Sequence, residues 1–366
     1  MCYALSMEKT ILVVTDIHYI SPAVHHFNDS FLDQMANEDG KMTILSYEIM
    51  QSLVRYVIDK KPDAFVVTGD LSWNGDITSH QEIRNYLSKI QNAGIPVYVI
   101  PGNHDIGKER AKYYAPFCSV LPECADRETF ASIYAPFMHQ DDPSSLSYCI
   151  EMDGLRMVFV DVNGSQEPGT VSSDTLSWMD HRLSQSNTPC IAFSHQNFLV
   201  LHPMFARRRI TNGDDLLSVF LKHHISIGFS GHSHLQRIAQ NESFSDICTA
   251  CLSAYEHHIG VIQVKDEVVN YHTENLSIDI PYETEKKLGI HGSEDERHYF
   301  LSAMLRIMNP TEDNPLLEEC VIAFFAGHPF SQSERVLEMV SDTALCNLIR
   351  GFQLNDMDMN KITIHT

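Results

Sequence analysis

Short runs of β-branched and aromatic residues recur through the first two-thirds of the chain, each ending at glycine or a polar residue. ILVVTD (11–16), AFVVTGD (64–70), PVYVIPG (96–102), CIAFSH (190–195) and ISIGFSG (225–231) have this form. Between them, apolar residues recur at helical spacing over about 42–60, 79–93, 173–185 and 213–223. Near-continuous apolar strands alternating with such segments predict an α/β fold with largely parallel sheet. Asp153-Gly154, set between YCIEM and LRMVFV, predicts a hairpin. Beyond residue 234 strand-like runs follow one another without helices (FSDICTACLSA, GVIQV, VVNYHT), so the sheets should be mixed. From 281 the pattern turns helical: PYETEKKLG, EDERHYFLSAMLRIMN, NPLLEECVIAFFAG and SERVLEMVSDTALCNLIRGF, with Pro and Gly as punctuation. The predicted division is a catalytic domain over 8–277 and a C-terminal helical domain over 281–366.

Charge narrows the partners. Among 366 residues, 26 basic and 48 acidic side chains give a net charge of −22. Such a chain repels phosphate backbones and anionic lipid, which argues against stable nucleic-acid or membrane binding. A small phosphate ester stays open, because bound divalent cations reverse the local potential. No stretch approaches the roughly 20 apolar residues of a membrane span. The opening MCYALSMEKTILVVTD lacks the form of a secretion signal and reads as a lead into the first strand. Nine scattered cysteines suggest no disulfide framework, and a cytoplasmic, reduced protein is expected. Cys248 and Cys251 form a C-x-x-C without a second pair and read as two small residues near a strand.

The candidate chemistry gathers at the strand tips. ILVVT runs into Asp16 and His18, AFVVT into Gly69-Asp70, PVYVIP into Gly102-Asn103-His104-Asp105, IAFS into His195, and ISIGFS into Gly231-His232-Ser233-His234. In α/β sheets ligands bind outside the carboxyl ends of strands, so these tips should converge at one edge. Three carboxylates, one carboxamide and five imidazoles suit borderline ions such as Mn, Fe or Zn. They are too many for one ion. Two ions about 3.5–4 Å apart would use them, sharing a carboxylate and an activated water. Asp70 is the expected bridge, since its two oxygens follow a glycine at a tight strand exit.

DIH (16–18), GD (69–70), GNHD (102–105), SH (194–195) and GHSH (231–234) together resemble the signature of the calcineurin-like metallophosphoesterase superfamily, over roughly residues 10–275. That resemblance implies a four-layer α-β-β-α sandwich of two mixed sheets, here with a C-terminal helical module, and a dinuclear metal centre. It implies one ion on Asp16, His18, Asp70 and His234, and the other on Asp70, Asn103, His195 and His232. It also implies an unligated His104 near the phosphate, oriented by Asp105. His104, Asp105 and Asn103 are thus the catalytic candidates. An imidazole can act as general acid near neutrality.

Departures from other branches narrow the class. GDLSWNGD lacks the Asp-Arg-Gly of protein serine/threonine phosphatases. Trp73 replaces the tyrosine of purple acid phosphatases, which excludes a tyrosinate–iron centre. GDLSWNGDITSHQEIRNYLSKIQNAGIPVYVIPGNHD and CLSAYEHHIGVIQV are similar to bacterial class III cyclic-nucleotide phosphodiesterase-like proteins. The expected function is hydrolysis of cyclic nucleotides or similar small phosphodiesters. Phosphomonoesterase action on a nucleotide or other small phosphate ester is the alternative, and a silent scaffold is disfavoured because every ligand position is filled. Asn74, His25 and His26 are the candidate substrate contacts. Arg207, Arg208 and Arg209 form a basic island that either guides anionic substrate or pairs with Asp214 or Asp215. The helical domain is a candidate surface for homo-oligomer formation.

Overall fold

The apolar runs become the strands of two six-stranded sheets packed face to face. The computed structural model describes residues 8–25, 29–36, 38–107, 123–164, 169–266, 268–308, 315–331, 336 and 358–365. In the first sheet β1 (Lys9–Val14), β2 (Ala64–Val67) and β3 (Val97–Val99) run parallel. The second sheet contains β4 (Tyr148–Met152), β5 (Leu155–Val160), β6 (Cys190–Ser194), β7 (Ile227–Ser230), β8 (Arg237–Gln240) and β9 (Ser245–Cys248). Its order is β4-β5-β6-β7-β9-β8, with β4 and β8 antiparallel at the edges. The chain then returns to the first sheet, where β10 (His258–Lys265) pairs antiparallel with β1 and is followed by β11 (Val268–Asn275) and β12 (Lys361–His365).

Period-two alternation decides what each strand face meets. In β5 and β6, Met157, Phe159, Ile191 and Phe193 face the inter-sheet core, whereas Val158, Val160 and Ala192 face helices. Tyr148, Phe159, Phe193 and Phe229 stack across β4 to β7 with ring centroids 4.5, 5.0 and 5.4 Å apart. Tyr98 and Tyr271 of the first sheet pack onto this row. Each buried aromatic contributes about 1.5–3 kcal/mol of transfer energy.

The short helices α1 (Pro22–His25) and α2 (Asp29–Ala36) lie in the loop after β1. Helices α3 (Ser46–Lys60) and α4 (Ile77–Asn92) cover the first sheet through Ile49, Leu53, Val57, Ile83 and Leu87. The α5 helix (Arg127–Tyr134) extends this side, and Asp126 caps it by accepting from the Thr129 N–H. The outer face of the second sheet is covered by α6 (Ser173–Leu183) and α7 (Gly213–Lys222) through Met179, Leu183, Leu216 and Phe220. This is the expected four-layer α/β sandwich.

The C-terminal helices form as the periodicity requires: α8 (Tyr282–Leu288), α9 (Ser293–Met308) and α10 (Pro315–Ala326). Most of the fourth predicted helix lies outside the described residues. Phe300, Met304, Val321 and Phe324 join the same apolar cluster as the first sheet. The residue pattern predicts no strand at 361–365, yet β12 completes the edge of that sheet by pairing along β11. Residues 281–366 are therefore not wholly helical. None of the described helices is long and apolar enough to cross a membrane.

Candidate metal centre

The candidate ligands leave the strands at the carboxyl ends of both sheets. Segments after β1, β2 and β3 deliver Asp16, His18, Asp70 and Asn103, and segments after β6 and β7 deliver His195, His232 and His234. The meeting place is thus two edges facing across the sandwich, not the edge of one sheet. Backbone bonds hold the tips in register: Asp16 N–H to Gly69 O at 3.0 Å, His18 N–H to Asp70 O at 3.0 Å, and Gly231 N–H to His195 O at 2.9 Å.

Local backbone geometry explains why these residue types stand there. Asp16, His18, Asp70, His232 and His234 have φ of 54°, 47°, 48°, 66° and 57°. The left-handed region is disfavoured for most side chains, and Asp, Asn and His are those that enter it most readily. Holding such residues costs about 1–3 kcal/mol each and requires firm support from the fold. Two glycines permit the close approach. A Cβ on Gly102 would overlap the backbone nitrogen and carboxylate of Asp70, and one on Gly231 would overlap Thr15 Oγ1 and lie 2.8 Å from Asp16 Oδ2. Gly231→Ala should lower stability by about 1–3 kcal/mol and weaken metal retention. Thermal melting with and without manganese checks both effects.

Two donor groups result, and they share Asp70. Donor atoms of Asp16, His18, Asp70 and His234 lie within 4.8 Å of one another, as do those of Asp70, His195 and His232. Asn103 Oδ1 lies 3.1 Å from His195 Nε2, beside the second group. Asp70 Oδ2 is 3.3 Å from His195 Nε2 and 3.8 Å from His18 Nε2. His232 and His234, two positions apart, serve different groups. His195 Nδ1 meets Thr68 O at 2.8 Å, which turns its Nε2 toward the centre. Asp16, His18, Asp70 and His195 are buried, while Asn103, His104, His232 and His234 line the open side.

The electrostatics are paired. Burial alone would favour neutral carboxyls, but His234 holds Asp16, and His195 holds Asp70, well below the usual carboxylate range. Burial works against charged imidazoles too, yet Asp70 lifts His195 to about 9 and Asp16 lifts His234 to about 9. Burial with Lys41 lowers His18, and burial with His195 lowers His232. Ionised carboxylates, imidazoles and a carboxamide thus call for positive charge at two adjacent points. This donor chemistry fits two borderline divalent cations.

His104 stands at the open side with its side chain 27% exposed. Its backbone N–H donates to Asp70 Oδ1 at 2.7 Å, and its Nδ1 lies 2.7 Å from the Trp73 carbonyl. The expectation that Asp105 orients this ring is corrected here: the Trp73 carbonyl does so. The Asp105 carboxylate instead accepts from Leu71 N–H (3.1 Å), Ser72 N–H (2.8 Å), Gly102 N–H (2.8 Å) and Ser72 Oγ (3.0 Å). A fully buried carboxylate needs that many donors, and in taking them it ties the two ligand loops together. Asn74 is buried in the adjoining turn. His25 is also buried, its ring stacked on Phe31 at 4.1 Å, so it packs within a satellite core instead of facing a cleft. His26 lies outside the described residues.

Three further features escape the strand-tip pattern. Cys251 Sγ lies within 4.8 Å of donor atoms of His18 and His234, and burial keeps its thiol protonated. Asn163 and Gln196 exchange amide hydrogen bonds of 2.9 and 2.7 Å, and Asn163 Nδ2 also holds the Pro101 carbonyl just before Gly102. Buried Asp246 accepts from Phe198 N–H, Leu199 N–H and Ser230 Oγ, bracing the loops after His195 and before His232. In the strand-like run FSDIC, Asp246 is a carboxylate at a strand position, the one signal of it in the sequence.

Residues 9–236 match the family described as Calcineurin-like phosphoesterase. The chain is 26% identical over 204 residues to "Glycerophosphodiester phosphodiesterase GpdQ" of Enterobacter lignolyticus, covering 55% of this chain and 65% of that protein. It is 27% identical over 181 residues to "Probable cyclic nucleotide phosphodiesterase" of Synechococcus sp., covering 48% and 59% respectively. Both matches span less than two-thirds of the relative's length. Among solved structures, a dimetal phosphatase from Danio rerio superposes with a TM-score of 0.53 at 14% identity, covering 74% of this chain and 97% of that one. That likeness is one of fold.

Proposed function

Because the chain belongs to the calcineurin-like phosphoesterase family, we propose that it hydrolyses small phosphodiesters at two metal ions held between its sheets. The observation that carries this reading is one buried carboxylate, Asp70, common to both donor groups. Asp16, His18, Asp70 and His234 would hold one ion, and Asp70, Asn103, His195 and His232 the other. Manganese, iron or zinc suits the set. When bound, such a pair supplies charge neutralisation at phosphoryl oxygens and a water acidic enough to attack near neutral pH.

The remaining proton work falls to His104. Its Nδ1 is committed to Trp73, and its Nε2 lies 4.0 Å from Asp70 Oδ2. From there a protonated ring can pass a proton to the departing alkoxide oxygen. Asp105 supports this indirectly, by fixing the loops that carry Asp70 and His104.

A diester is favoured because the two relatives are named for glycerophosphodiester and cyclic-nucleotide substrates. Arg208 supports an anionic ligand. Asn197 N–H donates to its carbonyl at 3.3 Å, two residues beyond His195, and its charge acts on His232. Arg209 is paired with Asp214, whereas Arg208 is exposed with no carboxylate partner among the described residues. Arg208→Glu should raise KM about fivefold or more at low salt, with the difference shrinking as ionic strength rises.

The test compares bis(4-nitrophenyl) phosphate, 4-nitrophenyl phosphate, a cyclic nucleotide and a glycerophosphodiester, with and without added manganese. Faster diester hydrolysis that depends on the metal supports the reading. Preference for the monoester would replace it with a phosphomonoesterase, and inertness of metal-loaded protein toward all four would leave the fold without the chemistry.

A further inference from the structure

We infer that Asp39, set in place by Lys41 and by the C-terminal helix α9, is a positioning residue for His234; this rests on the metal centre proposed above. His234 presents Nε2 to the centre, 3.3 Å from Asp16 Oδ1 and 3.3 Å from His18 Nε2. Its other nitrogen, Nδ1, faces Asp39 Oδ2 at 3.6 Å. That distance is an ion-pair contact, longer than a formed hydrogen bond. A carboxylate on the far side of a ligating imidazole selects its tautomer, fixes its plane and raises its basicity. Asp39 is the described carboxylate that faces His234 from outside the donor group.

Asp39 is itself held from two directions. Lys41 Nζ lies 2.8 Å from Asp39 Oδ1 and 3.3 Å from Glu38 Oε2, with the Lys41 side chain only 6% exposed. A buried ammonium needs such partners, so the three residues set one another's positions. The loop between them lies against α9. Gly40 has φ of 82°, and a Cβ there would meet Phe300 Cδ2 at 2.8 Å and Met304 Cε at 3.2 Å. Arg306 donates to the Glu38 carbonyl at 2.9 Å, and Tyr299 OH donates to the Met35 carbonyl at 3.2 Å.

The other end of the loop is tied to the centre. Met42 N–H donates to the Ser253 carbonyl at 2.5 Å, and Ser253 Oγ donates to the Asp16 carbonyl at 3.2 Å. A continuous path therefore runs from α9 through residues 38–42 to His234 and Asp16. The C-terminal segment reaches the candidate centre through this loop and, among the described residues, contributes no member of either donor group.

The test titrates Mn²⁺ into the full-length, chelator-stripped protein by calorimetry, for the native chain, Asp39→Asn and Arg306→Ala. Native protein should bind two ions. Asp39→Asn should weaken one of the two binding steps by about 10–100-fold and leave the other near native, with a lower melting temperature of the metal-free protein because buried Lys41 keeps only Glu38 as a carboxylate partner. Arg306→Ala, which keeps every carboxylate, should weaken the same step by a smaller factor. Loss of stability without a site-selective loss of affinity would mark Asp39 as merely structural. Two native-like steps in Asp39→Asn would overturn the inference while leaving the metal centre standing. If Asp39→Asn does not fold, Arg306→Ala decides, and an unchanged pair of affinities rejects the path from α9. A native chain that binds no Mn²⁺ would remove the proposed centre itself.

Discussion

Asp70→Asn should strip the protein of bound manganese and cut diester turnover by more than about 100-fold, beyond the loss expected when a residue that only supports a ligand is removed. The substitution is nearly isosteric, so the difference lies in charge and donor sense. Asp70 is the one residue in both donor groups, and its Oδ1 also receives the His104 N–H at 2.7 Å. A carboxamide keeps one acceptor but brings an NH₂ group into a space faced by His18 and His195 Nε2 atoms. It also removes the buried negative charge that makes the site hospitable to cations. Elemental analysis beside a bis(4-nitrophenyl) phosphate assay reads both effects. Full metal occupancy with native turnover would refute a bridging role.

His104→Ala should behave in the opposite way: metal content near native, with kcat lower by about 10²–10⁴-fold. The ring lies at the open side and belongs to neither donor group, so its loss opens no core cavity. The backbone N–H that serves Asp70 remains. Because the assigned task is protonation of the leaving oxygen, the deficit should depend on the leaving group. An alkyl diester, which departs as a strongly basic alkoxide, should lose more than bis(4-nitrophenyl) phosphate, whose phenolate leaves readily unprotonated. Equal losses on both substrates would assign His104 to binding or charge stabilisation instead. A fall in bound metal would place it among the ligands.

The parts of this molecule that follow from local chain pattern were legible in advance. Strands of continuous apolar residues, and candidate donor residues set directly beyond them, report themselves because strand, turn and donor are neighbours in sequence. What was not legible depends on partners distant in sequence or on groups with no side-chain signature. The acceptor that orients His104 is a backbone carbonyl, that of Trp73, which no motif can display. Asp105 looked like the obvious partner for its neighbour, but burial drew it to three backbone N–H groups and a serine instead. His25 lies in what the sequence presents as a polar loop, yet Phe31 supplies a stacking partner a few residues on. β12 lies beyond a run of helical spacing in the sequence, and its five residues form a strand by pairing along the edge of β11. Asp39 has no periodic or motif context at all; a loop pressed by Phe300 brings it to His234.

The positive φ angles of Asp16, His18, Asp70, His232 and His234 also limit how the proposed centre could be redesigned. Swapping imidazoles for glutamate or thiolate to favour a harder or softer ion would place poorly suited residue types in the left-handed region. Such variants would suffer a backbone penalty before any bond to the new ion formed. Altered ion preference is therefore easier to obtain at Asn103 and His195, which do not share that conformation, than at the other five positions.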